Sequence, residues 1–129
     1  MRRMLAALAM LVTLVGMTTA ATYAPKTWTS KPFVGVKANT GTVMATVDDG
    51  KITLKVSDDF VIPDTPAPSW QIIDSKGNTY LLNQFRIKGD KTNRQITLPS
   101  YIKDVAKVQV WCSFAEVVLG ETTFDSVVK

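Results

Sequence analysis

Cys112 is the only cysteine in the 129-residue chain, and it follows Trp111 at the end of an alternating run, Lys107-Val108-Gln109-Val110-Trp111-Cys112-Ser113-Phe114. A thiol can attack an electrophile, ligate a soft metal or take part in redox exchange. A single cysteine excludes an intramolecular disulfide and leaves three roles: a free reactive thiol, an intermolecular partner or a small buried hydrophobe. Strand alternation puts Val108, Val110 and Cys112 on one face and Gln109, Trp111 and Ser113 on the other. With the valines facing inward, Cys112 is expected in the core, where a thiol is inert. A redox role would need access and a positive neighbour, and Lys103 and Lys107 are the nearest in sequence.

Few other side chains could do chemistry. The chain has no histidine, so it has no Ser-His-Asp or Cys-His nucleophile pair, no His-ligated zinc or copper and no haem held by a proximal histidine. Beyond the leader described below, Met44 is the only methionine. The acidic groups Asp48-Asp49 and Asp58-Asp59 with Asp64 lack the Asp-x-Asp-x-Asp spacing of a calcium loop, and turn formation accounts for them. Paired carboxylates of a glycosidase call for the cleft of a larger scaffold. Trp28, Trp70, Trp111, Tyr80 and Tyr101 could build a stacking platform for sugar or peptide, although aromatics on sheets more often fill a core.

The elements that must position these residues read as strands. Thr42–Val47 and Ile52–Val56 flank Asp48-Asp49-Gly50-Lys51, a tight-turn signal, so a hairpin is predicted. Ser69–Asp74 and Thr79–Leu82 bracket Ser75-Lys76-Gly77-Asn78 as a second hairpin, and Arg94–Leu98 alternates until Pro99 ends it. Val105–Ser113, Glu116–Leu119 and Thr122–Val128 supply the last strands, with Gly120 as a turn between the final two. Between the hairpins, Pro63, Pro66 and Pro68 forbid a helix or a ladder strand, so a long ordered loop is expected there, held by Phe60 and Ile62. Its residues Asp59, Phe60, Pro63, Pro66 and Pro68, with Trp70 just beyond, are candidates for a contact loop. No window carries a helical period. The chain is therefore expected to be all-β, a two-sheet antiparallel β-sandwich of about seven to nine strands.

The first residues read differently. Arg2 and Arg3 precede the uncharged apolar run Met4–Gly16, and Thr18-Thr19-Ala20-Ala21 offers small residues for cleavage, the pattern of a secretory signal peptide over 1–21. That run is shorter than the roughly 20 residues of a membrane span, so no membrane span is expected in the mature form. An extended N-terminal arm follows over 22–33, broken by Pro25 and Pro32 and carrying Trp28 and Phe33, and the sandwich domain occupies 34–129. Loss of Arg2 and Arg3 from 15 basic against 11 acidic residues lowers the formal charge from +4 to +2. Lysines and aspartates are interspersed throughout, which argues against nucleic acid as a partner. The expected location is outside the cytoplasm, periplasmic or extracellular.

From Gly50 to Phe124 the order of these pieces resembles the DM-thirteen domain family, the "electron-transfer" domain of Skeletor-type proteins. The resemblance runs through Ile52-Thr53-Leu54, Asp59-Phe60, the proline-rich stretch to Pro68-Ser69-Trp70-Gln71-Ile72, then Gln95 to Leu98-Pro99 and Ile102. Its most specific part is Val108-Gln109-Val110-Trp111-Cys112 with Gly120 eight residues later. The chain departs from the family pattern at Ser69, Ile96 and Ala115. The resemblance implies a β-sandwich with a thiol redox or electron-transfer role at Cys112, shaped by Trp111, in company with a redox or haem-containing protein partner. No cofactor is expected in the chain itself, and one thiol without a resolving cysteine needs an external partner to cycle. The alternative is a non-catalytic envelope or extracellular interaction module in which the cysteine is structural.

Overall fold

The computed structural model describes residues 24–129 together with Gly16; apart from Gly16, the signal peptide expected over 1–21 lies outside the described residues. Eight strands and no helix are present among them: β1 (Lys26–Thr29), β2 (Val43–Asp48), β3 (Lys51–Val56), β4 (Pro68–Ile73), β5 (Thr79–Gln84), β6 (Gln95–Thr97), β7 (Val105–Cys112) and β8 (Val117–Val128). They form two four-stranded antiparallel sheets, β1-β2-β3-β6 and β5-β4-β7-β8. The expected all-β sandwich is the fold.

Alternation does most of the building. Ile52, Leu54 and Val56 of β3 and Val43 and Ala45 of β2 point into the core, opposite Trp70, Ile72, Val108 and Val110 from the second sheet. The outer face of the first sheet stays wet, and there a row of threonines crosses all four strands, Thr27 beside Thr46, Thr46 beside Thr53 and Thr53 beside Thr97. The β2–β3 turn is the tight one expected, with Asp49 and Gly50 both at positive φ (49° and 75°), the backbone of a hairpin whose turn matches the strand twist.

The arm expected to be extended over 22–33 docks on the body: Lys26–Thr29 is a strand, paired with β2, and Phe33 behind it is buried. Gly120 departs from expectation, since it is no turn. β8 runs unbroken through it for 12 residues, with a bulge where Val110 pairs with Gly120 and Trp111 with Val118. The glycine is required for a close approach: a Cβ at Gly120 would fall 1.9 Å from the Ala38 carbonyl oxygen, and one at Gly35 would fall 2.3 Å from the Gly120 Cα. The segment 31–38 thus lies along β8 as a strap. Val34 and Glu121 exchange both backbone bonds at 2.9 Å, and the N–H groups of Lys37 and Ala38 donate to the Leu119 carbonyl at 3.0 and 2.9 Å.

Candidate functional site

Cys112 closes β7, opposite Pro68 of β4 and Val117 of β8. Its burial follows from the valine face it shares: it is 2 % exposed. The thiol donates to the Pro66 carbonyl at 3.1 Å, and its sulfur accepts the Ala115 N–H at 3.4 Å. Around it the same two chain segments are laced further. Ser113 N–H donates to the Ala67 carbonyl at 3.2 Å, Glu116 N–H donates to the Cys112 carbonyl at 2.8 Å, and the hydroxyls of Ser69 and Ser113 lie 3.1 Å apart. Ala67 and Glu116 are held in the left-handed region, at φ 53° and 55°, a conformation that costs a non-glycine residue on the order of 1 kcal/mol and persists where surrounding contacts impose it. Both polar partners of the sulfur are neutral backbone groups, and neither Lys103 nor Lys107 is among them.

Trp111 lies half-buried on the opposite face, between Ser69 and Val118. Its face carries a polar row that the sequence did not announce. Gln71 donates through Nε2 to Gln109 Oε1 at 2.7 Å, Gln109 Nε2 donates to Glu121 Oε2 at 2.9 Å, and Lys107 Nζ sits 3.3 Å from the same carboxylate oxygen. The Gln109 amide and then the Lys107 ammonium hold the Glu121 carboxyl below its ordinary range, against the opposing effect of partial burial.

The structure splits the expected contact loop. Phe60, Pro63, Pro68 and Trp70 are buried, whereas Asp59 and Pro66 are exposed. Asp59 accepts the Ser57 hydroxyl and closes a local turn. Trp70, 0 % exposed, stacks on Phe85 with ring centroids 4.6 Å apart and donates its indole N–H to the Asn93 carbonyl at 2.8 Å, so it is a core residue with its one donor satisfied. Trp28 packs at the core margin and donates to Ser126 Oγ at 3.1 Å. Tyr80 and Tyr101 pair at 5.8 Å, and the five aromatics weighed as a platform form no common surface.

Two arginines missing from the sequence-level candidates fasten the proline-rich loop. Arg94 Nη2 donates to the carbonyls of Ser57 at 2.7 Å and Phe60 at 3.0 Å, with its guanidinium 5.8 Å from the Phe60 ring centroid. Arg86 reaches the Ile62 carbonyl at 3.2 Å and the Thr65 carbonyl at 3.4 Å. Five donors in a rigid fork suit this bridging of carbonyls.

Surface hollows lie against the β2–β3 turn, at Val47, Asp48, Asp49 and Gly50, and on the outer face of the first sheet, at Met44, Thr46, Thr53 and Lys55; Cys112 lines neither. Among the described residues no three His, Cys, Asp or Glu side chains converge as a metal-ligand group, and no helix is long and apolar enough to cross a membrane. Comparison of the chain with protein families, with curated proteins and with solved structures finds no match.

Proposed function

We propose that this chain is an exported, non-catalytic interaction module in which Cys112 is a structural staple and the loop-and-turn end it ties together is the contact surface. The observation that carries this reading is the setting of the thiol: buried, donating to one backbone carbonyl and accepting from one backbone N–H. A nucleophilic or redox thiol works through its thiolate, which requires an approach path and a group that stabilises negative charge. Beside Cys112 the polar partners of the sulfur are two backbone groups, the Pro66 carbonyl and the Ala115 N–H, and no cationic side chain is among them. The staple also has an outward consequence. It fixes exposed Pro66 beside the β7–β8 turn, where Phe114 is 79 % exposed with Val117 half-exposed behind it, an apolar rim suited to a partner's apolar surface.

Titration of the full chain with a thiol reagent tests this reading. Labelling confined to denaturant-unfolded protein is the expected result. Native labelling as fast as in the unfolded control, together with oxidation of a haem or thiol partner that Cys112→Ser abolishes, would establish instead the redox role that the resemblance implies.

A further inference from the structure

The two sheets present four edges, and three are guarded. The β8 edge is covered by the strap, where Lys31 N–H donates to the Thr123 carbonyl at 2.9 Å and Val34 and Glu121 pair; β1 is only four residues long, opens on the charged Lys26 and has its Trp28 indole bonded to Ser126 of β8. β6 has only three residues. β5 is different. It has six residues and one neighbour, β4, and no backbone bond among the described residues joins Thr79–Gln84 to anything beyond that ladder.

An open edge is a row of unpaired N–H and C=O groups, and proteins ordinarily blunt it with charge, proline, shortness, a bulge or a cover. β5 has neither charge nor proline: from Gly77 to Phe85 the sequence is Gly-Asn-Thr-Tyr-Leu-Leu-Asn-Gln-Phe. Its one irregularity is the bulge where pairing steps from Gln71↔Leu81 to Ser69↔Gln84, so the regular stretch offered is Thr79–Leu81 and its continuation into Leu82. Leu81 stands 53 % exposed on the outer face, and Tyr80 and Leu82 pack partly into the core.

We propose that β5 is a pairing edge through which two copies of this chain join, antiparallel about a two-fold axis, with Leu81 of one copy opposite Leu81 of the other. The register follows from strand geometry. Residues directly opposite in an antiparallel pair share a face, so a two-fold that sets Leu81 against itself sets Tyr80 opposite Leu82. That arrangement keeps the core-facing residues of both copies on the core side and buries the exposed leucine against its twin. The interface is self-complementary, as a two-fold contact must be, and the paired stretch apposes no like charges because it contains none. A foreign strand would have to bring the same alternation and neutrality; a second copy already has both. The result is one continuous eight-stranded sheet from two four-stranded ones. This contact uses neither Cys112 nor the Pro66–Phe114 end, so it stands or falls apart from the proposed function.

The test is sedimentation of the full chain, in reductant so that no Cys112-linked species contributes, from dilute to concentrated solution. The expected result is a doubling of mass with concentration, accompanied by slowed hydrogen exchange confined to Thr79–Leu82 and its flanks. Leu81→Lys, at an exposed position, should hold the mass at the monomer value while leaving the circular dichroism spectrum and unfolding midpoint near wild type. The exchange measurement on unmodified chain decides the matter if that variant folds poorly. Three results overturn the proposal: a monomer at every concentration, a dimer undiminished by Leu81→Lys, or a dimer whose protected amides lie elsewhere, such as Phe114–Val118.

Discussion

A single sulfur at Cys112 satisfies one carbonyl and one N–H on two loops, and the cost of removing it depends on what replaces it. Cys112→Ala leaves the Pro66 carbonyl and the Ala115 N–H without a partner and opens a small void, a loss of about 1–3 kcal/mol. Cys112→Ser keeps a donor and an acceptor and should lose less; equal losses in urea titrations would mean that the thiol matters only as volume. Asp74 governs a second local effect. Its carboxylate accepts from the Asn78 side chain, the Asn78 and Lys76 N–H groups and the Tyr80 hydroxyl, and these bonds, the Asn78 side chain first, hold its pKa below the ordinary value against the opposing effect of burial. Glu121 is lowered too. A carboxyl depressed by folding contributes stability above its unfolded pKa, about 4, and that contribution is lost as pH falls through the folded value. Stability should therefore decline from about pH 5 downward, with a shallower decline in Asp74→Asn. Tyr80 runs the other way: burial, then its bond to Asp74, raises the phenol, so its contribution is present below about pH 10 and is lost as pH rises through the folded value. Unfolding midpoints against pH for Asp74→Asn and Tyr80→Phe check both signs.

Among the elements, β8 and its strap depend on two glycines meeting backbone to backbone. The atoms a new Cβ would strike, the Ala38 carbonyl at Gly120 and the Gly120 Cα at Gly35, are main chain and have no rotamer to yield. Gly120→Ala should therefore cost about 1–3 kcal/mol or lift the strap, and hydrogen exchange at Lys37 and Ala38 separates the two outcomes, since both amides are spent on the Leu119 carbonyl. Unchanged exchange and unchanged stability together would falsify this account. The role of Gly120 was not legible in the sequence, because an isolated glycine signals a turn and a close approach equally, and the strap that approaches it is more than eighty residues away. What period-2 alternation controls was legible: both hairpins, β7, and the inward side of Cys112. The anchoring of the proline-rich loop was not, because Arg86 lies 21 and 24 residues, and Arg94 34 and 37 residues, from the carbonyls they bridge, and a backbone carbonyl carries no residue label. Ala67 and Glu116 were hidden for a related reason. Their left-handed backbone is imposed by the contacts around Cys112, at positions where no glycine announces it.

Across the molecule, four aromatics from four separate segments form a chain of ring contacts through the core. Phe33 follows β1, Phe60 lies in the proline-rich loop, Phe85 follows β5 and Trp70 sits in β4; successive centroids are 5.0, 5.4 and 4.6 Å apart. Each ring is nearly or fully buried, so the series joins the strap, the loop and the second sheet, which share few ladder bonds. Phe60 is its critical member, since it touches both phenylalanines and carries the Arg94 guanidinium over its face. Truncation there should cost what a buried aromatic ordinarily does, about 3–5 kcal/mol, a large share of the roughly 5–15 kcal/mol that stabilises a domain. Each kcal/mol lowers the melting temperature of a domain this size by about 4–8 °C. The control is Phe114→Ala, the same chemical change on an exposed ring, expected to stay within about 0.5 kcal/mol. Phe60→Ala should also speed hydrogen exchange at the Phe60 and Val61 amides, bonded to the Ser57 carbonyl and the Thr40 hydroxyl, because the loop would retain its arginine clamps without the ring that seats it. If the two alanine variants melt together, the aromatic contacts do not hold the loop to the sandwich, and its polar bonds, the arginine clamps with the Cys112 and Thr40 contacts, must do so.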